Sequence, residues 1–335
     1  MFEILQLKRF LLYITFFEVV WHLVFTRKSA AKQARLYLQK IENESNGRFR
    51  PSTFKKIVDS YSLYLPIVMD AFTSLNGRLT NDLEKHRTLH YFILSSLFDD
   101  FVDDSDLTDD QIRDFVLEDL MPDNQHFDQI ICRNTHLYLV SQVVQKHEYL
   151  QTITHVMQAQ LDSKRQKNLD LSFGELEKIV LYKGGYSVLL CHYYIEDSDE
   201  AWKPCWFLLG GLIQLTNDLF DIHKDIKDGI LTLPIKSKYI NNISCIYNFQ
   251  FHQLLACIES LSSQNTNKIR FRIALFGTYA FGLVAIENLK KIVSKEGILP
   301  DLETVERQKL IVDMSKWSNI KLWLKFVHSL AKEHC

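Results

Sequence analysis

The sequence predicts an all-α protein, a single-domain bundle of about ten to twelve helices, and three observations carry that prediction. Turn formers are scarce: 11 glycines and 6 prolines in 335 residues make about 5% where average usage gives about 12%. That is too few for the frequent turns of all-β and βαβ folds. Apolar residues recur at three- and four-residue steps along nearly the whole chain. No linker, repeat or low-complexity tract interrupts them. With 47% hydrophobic and 24% charged residues, the chain can bury a large core and is not disordered. Its formal charge of -2 excludes a global field that draws it to nucleic acid or acidic membrane, so any charge-based function is local.

Element by element, residues 1–50 read as N-terminal apolar helices packing on the core and residues 51–335 as the bundle domain. The stretch Phe10 to Thr26 follows Lys8 and Arg9, carries Glu18 and His22, and falls short of the about 20 apolar residues a bilayer span needs. Thr15, Glu18, His22 and Thr26 form a narrow wet stripe beside a broad apolar face. That face is expected to pack on the chain's own core, with peripheral membrane contact through residues 10–26 or a homodimer contact as alternatives. Asn43 to Pro51 breaks the pattern, Asn76-Gly77 precedes a helix from Thr80 to Asp104, and Met121 to Asn124 ends another. Helices follow over Asp128 to Lys146, Tyr149 to Asn168 and Ser172 to Glu196, the last opened by a Ser172/Glu175 capping box. Then come Asp199 to Asp225, a loop with Asp228-Gly229 and Pro234, and two or three further helices. The cysteines at 132, 191, 205, 245, 257 and 335 lack metal spacing and read as reduced thiols of a cytoplasmic protein, with no disulfide expected.

Two acidic segments carry the chemistry. Between Asp99 and Asp114 stand eight aspartates and one arginine. Asp99 and Asp103, like Asp100 and Asp104, are four apart and share a helix face, where like charges repel. The preceding Leu89 to Phe98 is nearly all apolar, so the aspartates emerge at the C-terminal end of a buried helix, where the helix dipole is also negative. A hard divalent cation such as Mg²⁺ relieves both penalties, and a solvated acidic helix end is the plainer alternative. An EF-hand does not fit, because a loop begun at Asp104 has Asp109 where glycine belongs and Phe115 where the bidentate glutamate belongs. The second segment places Asn217, Asp221 and Asp225 at i, i+4 and i+8 after an apolar lead-in from Trp206 to Leu215. Two such tips are expected at one mouth of a central apolar cavity.

These residues resemble the class I isoprenoid synthases, the family of terpene cyclases, trans-prenyltransferases and squalene/phytoene synthases. Asp99-Asp100-Phe101-Val102-Asp103 is similar to that family's DDxxD motif, with Asp104 added. Asn217 to Asp225 resembles the cyclases' NDxxSxxxE triad, with aspartate in place of both the serine and the glutamate. Gln214 to Asn217 and Gly229 to Pro234 are more similar to squalene/phytoene synthases and prenyltransferases. Lys183-Gly184-Gly185 resembles the family's broken helix, where lysine meets diphosphate; a helix-packing notch is the plain alternative. Among Gln158, Gln160, Asp162 and Arg165, only Arg165 is carried over. The resemblance runs from about Pro51 to Pro234.

The resemblance implies a Mg²⁺ cluster, three ions in that family, held by Asp99, Asp100, Asp103, Asn217, Asp221 and Asp225. It implies a prenyl diphosphate substrate, with Lys183, Arg165 and Lys224 around the departing oxygens and aromatic rings facing the carbocation. Phe92, Phe98, Tyr186, Trp206 and Phe220 are candidates for those rings, or ordinary core. Gly47-Arg48-Phe49-Arg50-Pro51 is similar to the prenyltransferases' Gly-Lys-x-x-Arg-Pro segment but stands far upstream of Asp99, and Ser105 to Gln111 has no basic residue. A terpene synthase acting on one diphosphate is therefore expected, with condensation of two diphosphates as the alternative and a non-catalytic metal-binding scaffold as a reading of another class. Ser95, one turn before Asp99, is small where some short-chain members of the resembled family place an aromatic stopper, so the resemblance implies a C15 or longer substrate.

Overall fold

The computed structural model describes residues 2–104, 108, 110–111 and 126–334, with the side chains of residues 2–15, 20, 103 and 104 outside the description. Among the described residues every regular element is helical, and extended pairing is confined to a single Tyr239–Ile298 bridge. The expected all-α class therefore holds. The chain divides into two compact units, Tyr13–Leu161 with Leu190–Ser198, and Met1–Leu12 with Asp162–Leu189 and Asp199–Cys335.

α1 spans Phe2–Glu44 as one helix in place of the several expected, and its residues from Tyr13 onward belong to the first unit. α2 (Pro51–Tyr64) opens with proline in its first turn, where a missing N–H costs nothing. Pro66 cannot continue the ladder, and the chain passes through a π turn, Leu65–Met69, into a last turn at Asp70–Ser74. Gly77, at φ 72°, makes the predicted break. α3 (Asp82–Asp104) then ends at the expected aspartates. Its start is fixed by the fully buried Glu84, which accepts from both Arg78 terminal nitrogens and from the backbone N–H of Asn81 and Glu196. α4 (Phe127–Gln142), α5 (Lys146–Ser163) and the 3-10 turn Leu190–Tyr194 complete the surroundings. Phe98 and Val102 of α3 pack on Met157 and Leu161 of α5. Met121 to Asn124 lie outside the described residues.

The α1 expectation holds only in part: Glu18 is exposed as expected and Phe16, Val19 and Leu23 are half-buried, but His22 and Thr26 depart from it. His22 Nε2 meets buried Asp70 Oδ2 at 2.7 Å, and Thr26 Oγ1 lies 3.3 Å from His22 Nδ1, so these polar residues face the interior. Ala30, Ala34 and Leu38 continue that inner line. Phe17, Trp21, Val24 and Phe25 are exposed instead. A buried carboxylate needs a partner more than an apolar helix face needs cover, and Asp70 sets the rotation of the helix.

In the second unit, α6 (Phe173–Leu189) opens on the predicted capping box: Ser172 Oγ donates to Glu175 at 2.7 Å and accepts from the Glu175 N–H at 3.3 Å. α7 (Lys203–Phe220) and α8 (Ile222–Asp228) correct the single helix expected to Asp225, for the chain breaks at Asp221. α8 ends at Gly229, whose φ of 66° suits the left-handed cap. α9 (Ile240–Ser260), α10 (Asn265–Leu289) and α11 (Trp317–His334) follow. α10 is long and apolar enough to cross a membrane, yet 61% of its most apolar window is buried within the protein.

Gly184 and Gly185 do not break α6, which runs through both. They form the packing notch: a Cβ on Gly184 would collide with the Gly210 carbonyl oxygen, and one on Gly210 with that of Gly184. The two helices touch backbone to backbone there. The structure also corrects the cysteine reading, joining Cys205 of α7 to Cys257 of α9 in a disulfide, Cα–Cα 5.9 Å. Their separation of 52 residues offers no spacing signal; only helix packing pairs them.

Candidate functional site

The first acidic tip is built by four helices of its unit, α2 to α5. The first turns of α2 deliver Thr53 and Lys56, three residues apart, to the end of α3. Lys56 Nζ donates to Asp99 Oδ2 at 2.8 Å, and Thr53 Oγ1 donates to Asp100 Oδ2 at 2.5 Å. From α5, Gln160 Nε2 donates to Asp99 Oδ1 at 2.9 Å. Both aspartates are half-buried and both are already hydrogen-bonded. Asp128, in the first turn of α4, lies close enough to be felt. Burial, and secondarily Asp100, push its carboxyl above the usual range, while Arg50 pulls it down. Its enclosed Oδ1 has no hydrogen-bond partner. The Asp103 side chain lies outside the described residues.

The second tip belongs to the other unit and differs in kind. Asn217 and Asp221 are exposed, whereas Asp225 is buried, so the three do not share one environment. The most enclosed acid is Asp218, 4% exposed. Gln214 Nε2 donates to its Oδ1 at 2.9 Å, and its Oδ2 has no partner. Burial pushes the Asp218 carboxyl up to about 7, against the Gln214 hydrogen bond and the nearby Lys183 ammonium. Asp225 is likewise pushed up to about 7, first by burial, then by Asp218 and Asp221, with Lys224 opposing. The notch at Gly184 sets Lys183 against this end of α7, and its Nζ donates to Ser163 Oγ at 3.4 Å. Arg165 is bound instead to Glu175 at 2.9 Å at the start of α6. Phe92, Phe98 and Trp206 are buried, while Tyr186 and Phe220 are half-buried. Beside the last turns of α7, a cavity of about 10 Å³ lined by Leu215, Leu219, Leu233, Ile243 and Tyr247 is too small for a hydrocarbon chain.

Sequence reasoning missed Asp218, Gln160 and Asp128. Asp218 had a signal: Leu215, Asp218, Ile222 and Asp225 stand at i, i+3, i+7 and i+10, the period of one buried face, and both apolar members are buried. Gln160 and Asp128 reach the first tip only through the packing of α4 and α5, which no local pattern announces.

A divalent cation fits the donors present. Asp218 Oδ2 is an orphaned buried oxygen, and a second buried carboxyl, Asp225, is close enough for each charge to raise the other's cost. Among the described residues no three His, Cys, Asp or Glu side chains converge as they stand. Mg²⁺ does not need them to, because it commonly takes one or two carboxylates and completes its shell with waters and substrate phosphate oxygens.

No protein-family model matches the chain, and no curated protein matches it. By structure it is similar to a dehydrosqualene synthase, at 16% identity and TM-score 0.39, over 84% of this chain and 98% of that one. It is also similar to a geranyltranstransferase from Thermotoga maritima, at 14% identity and TM-score 0.45, over 78% and 99%. At these TM-scores neither likeness assigns a reaction or an equivalent residue.

Proposed function

We propose that the protein is a Mg²⁺-dependent class I terpene synthase that ionises a prenyl diphosphate of C15 or longer and releases diphosphate. The observation that carries this reading is the buried Asp218–Asp225 pair, held high by desolvation with one oxygen unpaired, at a helix end whose sequence resembles the family's second metal motif. Asp218, Asp221, Asp225 and Asn217 would hold the cation at that tip, and Asp99, Asp100 and Asp103 at the other. When bound, Mg²⁺ supplies the charge that neutralises the diphosphate and lets it leave. Lys183 and Lys224, beside the buried acids, add positive charge for the departing oxygens. Leu215, Leu219 and Ile222 keep water from the carboxylates, which strengthens every charge interaction there. Arg165 is occupied by Glu175 and is left out of this set.

One observation favours condensation of two diphosphates as the second reading. The Arg48-Phe49-Arg50 segment is far from Asp99 in sequence but leads directly into α2, whose Thr53 and Lys56 bind Asp100 and Asp99. Arg50 lies within the electrostatic reach of Asp128, as Asp100 does. Exposed Arg48 lines a trough of about 860 Å³ with Gln39, Glu42 and Asn46, room for a second anion. Incubation with geranyl, farnesyl and geranylgeranyl diphosphates, with and without isopentenyl diphosphate, followed by mass spectrometry, separates the readings. Product from farnesyl or geranylgeranyl diphosphate alone supports the terpene synthase. Product that requires isopentenyl diphosphate replaces it with the condensing enzyme, and turnover of geranyl diphosphate alone overturns the chain-length reading. No product in any mixture leaves the non-catalytic scaffold.

A further inference from the structure

We propose that the outer face of α1 docks the protein on an anionic phospholipid surface, Trp21 and its neighbours entering the headgroup layer and a line of cations meeting the lipid phosphates. The rotation of α1 is fixed from inside: His22 bonds Asp70, and Ala30, Ala34 and Leu38 are buried at four-residue steps. The opposite face is thereby turned to solvent. On it Phe17 is 69% exposed, Trp21 68%, Val24 44% and Phe25 52%, with the Trp21 and Phe25 rings 4.3 Å apart. Four large apolar side chains on one exposed helix stripe exceed the scattered single residues normal for a soluble surface.

The same face changes character one turn later. Lys28, Lys32 and Arg35 follow Trp21 and Phe25 at helical spacing and are all exposed. An aromatic stripe continued by a basic one is the pattern of helices that lie in the bilayer interface, where tryptophan prefers the headgroup depth and lysine and arginine meet anionic lipid. This charge complementarity, with Lys28, Lys32 and Arg35 outweighing exposed Glu18 beside Trp21, selects the occupant: a second copy of the chain would set the same cations near each other, whereas an acidic lipid surface pairs them. The formal charge of -2 does not oppose it, because beyond a Debye length of about 8 Å the remaining charges are screened.

The test uses the full chain and sedimentation with vesicles of phosphatidylcholine, with or without phosphatidylserine. Binding is expected with phosphatidylserine, weakened by raised salt, and weakened about fivefold for each of Lys28, Lys32 and Arg35 changed to glutamine. Trp21→Glu with Phe25→Glu should abolish it while circular dichroism and melting remain those of the wild type. A milder readout guards against misfolding: brominated lipid should quench tryptophan fluorescence in the wild type and lose that component in Trp21→Phe. The proposal is overturned by failure to bind either vesicle, by equal binding to both, or by quenching unchanged in Trp21→Phe. It is also overturned by a dimer that Trp21→Glu with Phe25→Glu dissolves while vesicles stay unbound, which would make a second copy the occupant.

Discussion

The two acidic tips share a design in sequence, an apolar helical lead-in ending in aspartates, yet differ in how their charge is managed. Asp99 and Asp100 are half-buried and answered by Lys56, Gln160 and Thr53. Asp218 and Asp225 are buried and answered by less, the Gln214 hydrogen bond and the charge of Lys183 at Asp218 and of Lys224 at Asp225, and one Asp218 oxygen stays unpaired. The first tip is thus supplied with hydrogen-bond donors from its own neighbours. The second is costly to ionise without a cation, and it is where metal should alter the protein's own thermodynamics most.

The largest expected effect is on turnover. Asp99→Ala and Asp218→Asn should each lower Mg²⁺-dependent pyrophosphate release from farnesyl diphosphate by at least about a hundredfold, the scale of one lost transition-state charge contact. Unchanged release in Asp218→Asn breaks the comparison, since the buried tip would then be structural. The next effect is the pH dependence of stability. The folded carboxyls of Asp218 and Asp225 near 7 lie above the unfolded value of about 3.9. The folded state therefore binds more protons across that window, and stability falls as pH rises from about 4 through 7. The loss is a few kcal/mol without metal, because each tenfold difference in proton affinity between the folded and unfolded chain is worth about 1.4 kcal/mol. Thermal melts from pH 4 to 8 in a chelator should show it, Asp218→Asn should flatten it, and Mg²⁺ should restore stability at the alkaline end.

Smaller effects concern support. Gly184→Leu would press a side chain on the Gly210 backbone and should cost about 1–3 kcal/mol in denaturant unfolding, the usual range for overpacking. Reduced thermal stability with intact first-tip contacts would mark the notch as scaffolding for the second tip alone. At the first tip, Lys56→Gln removes an ion pair whose partners are 42% and 34% exposed, and should change stability by less than about 1 kcal/mol.

Local signals in the sequence suffice where one element decides the outcome: the Ser172/Glu175 box, the break at Gly77, the Gly229 cap and the end of α3 at Asp104. They fail where partners distant in sequence decide it. Asp70 draws His22 of α1 inward, the mutual fit of Gly184 and Gly210 converts an expected break into a notch, and Cys205 finds Cys257 across two helices. At the site, counting steps of four from Asn217 selects two exposed residues, while the heptad-like face through Leu215 and Ile222 holds Asp218. The break at Asp221 has no proline or glycine to announce it.

The claim beneath all of this is that the buried tip takes Mg²⁺ together with diphosphate. Calorimetric titration of Mg²⁺ into the protein in the presence of pyrophosphate tests it directly. Saturable binding that disappears in Asp218→Asn is predicted; absence of binding to the wild type, or equal binding to that variant, contradicts it.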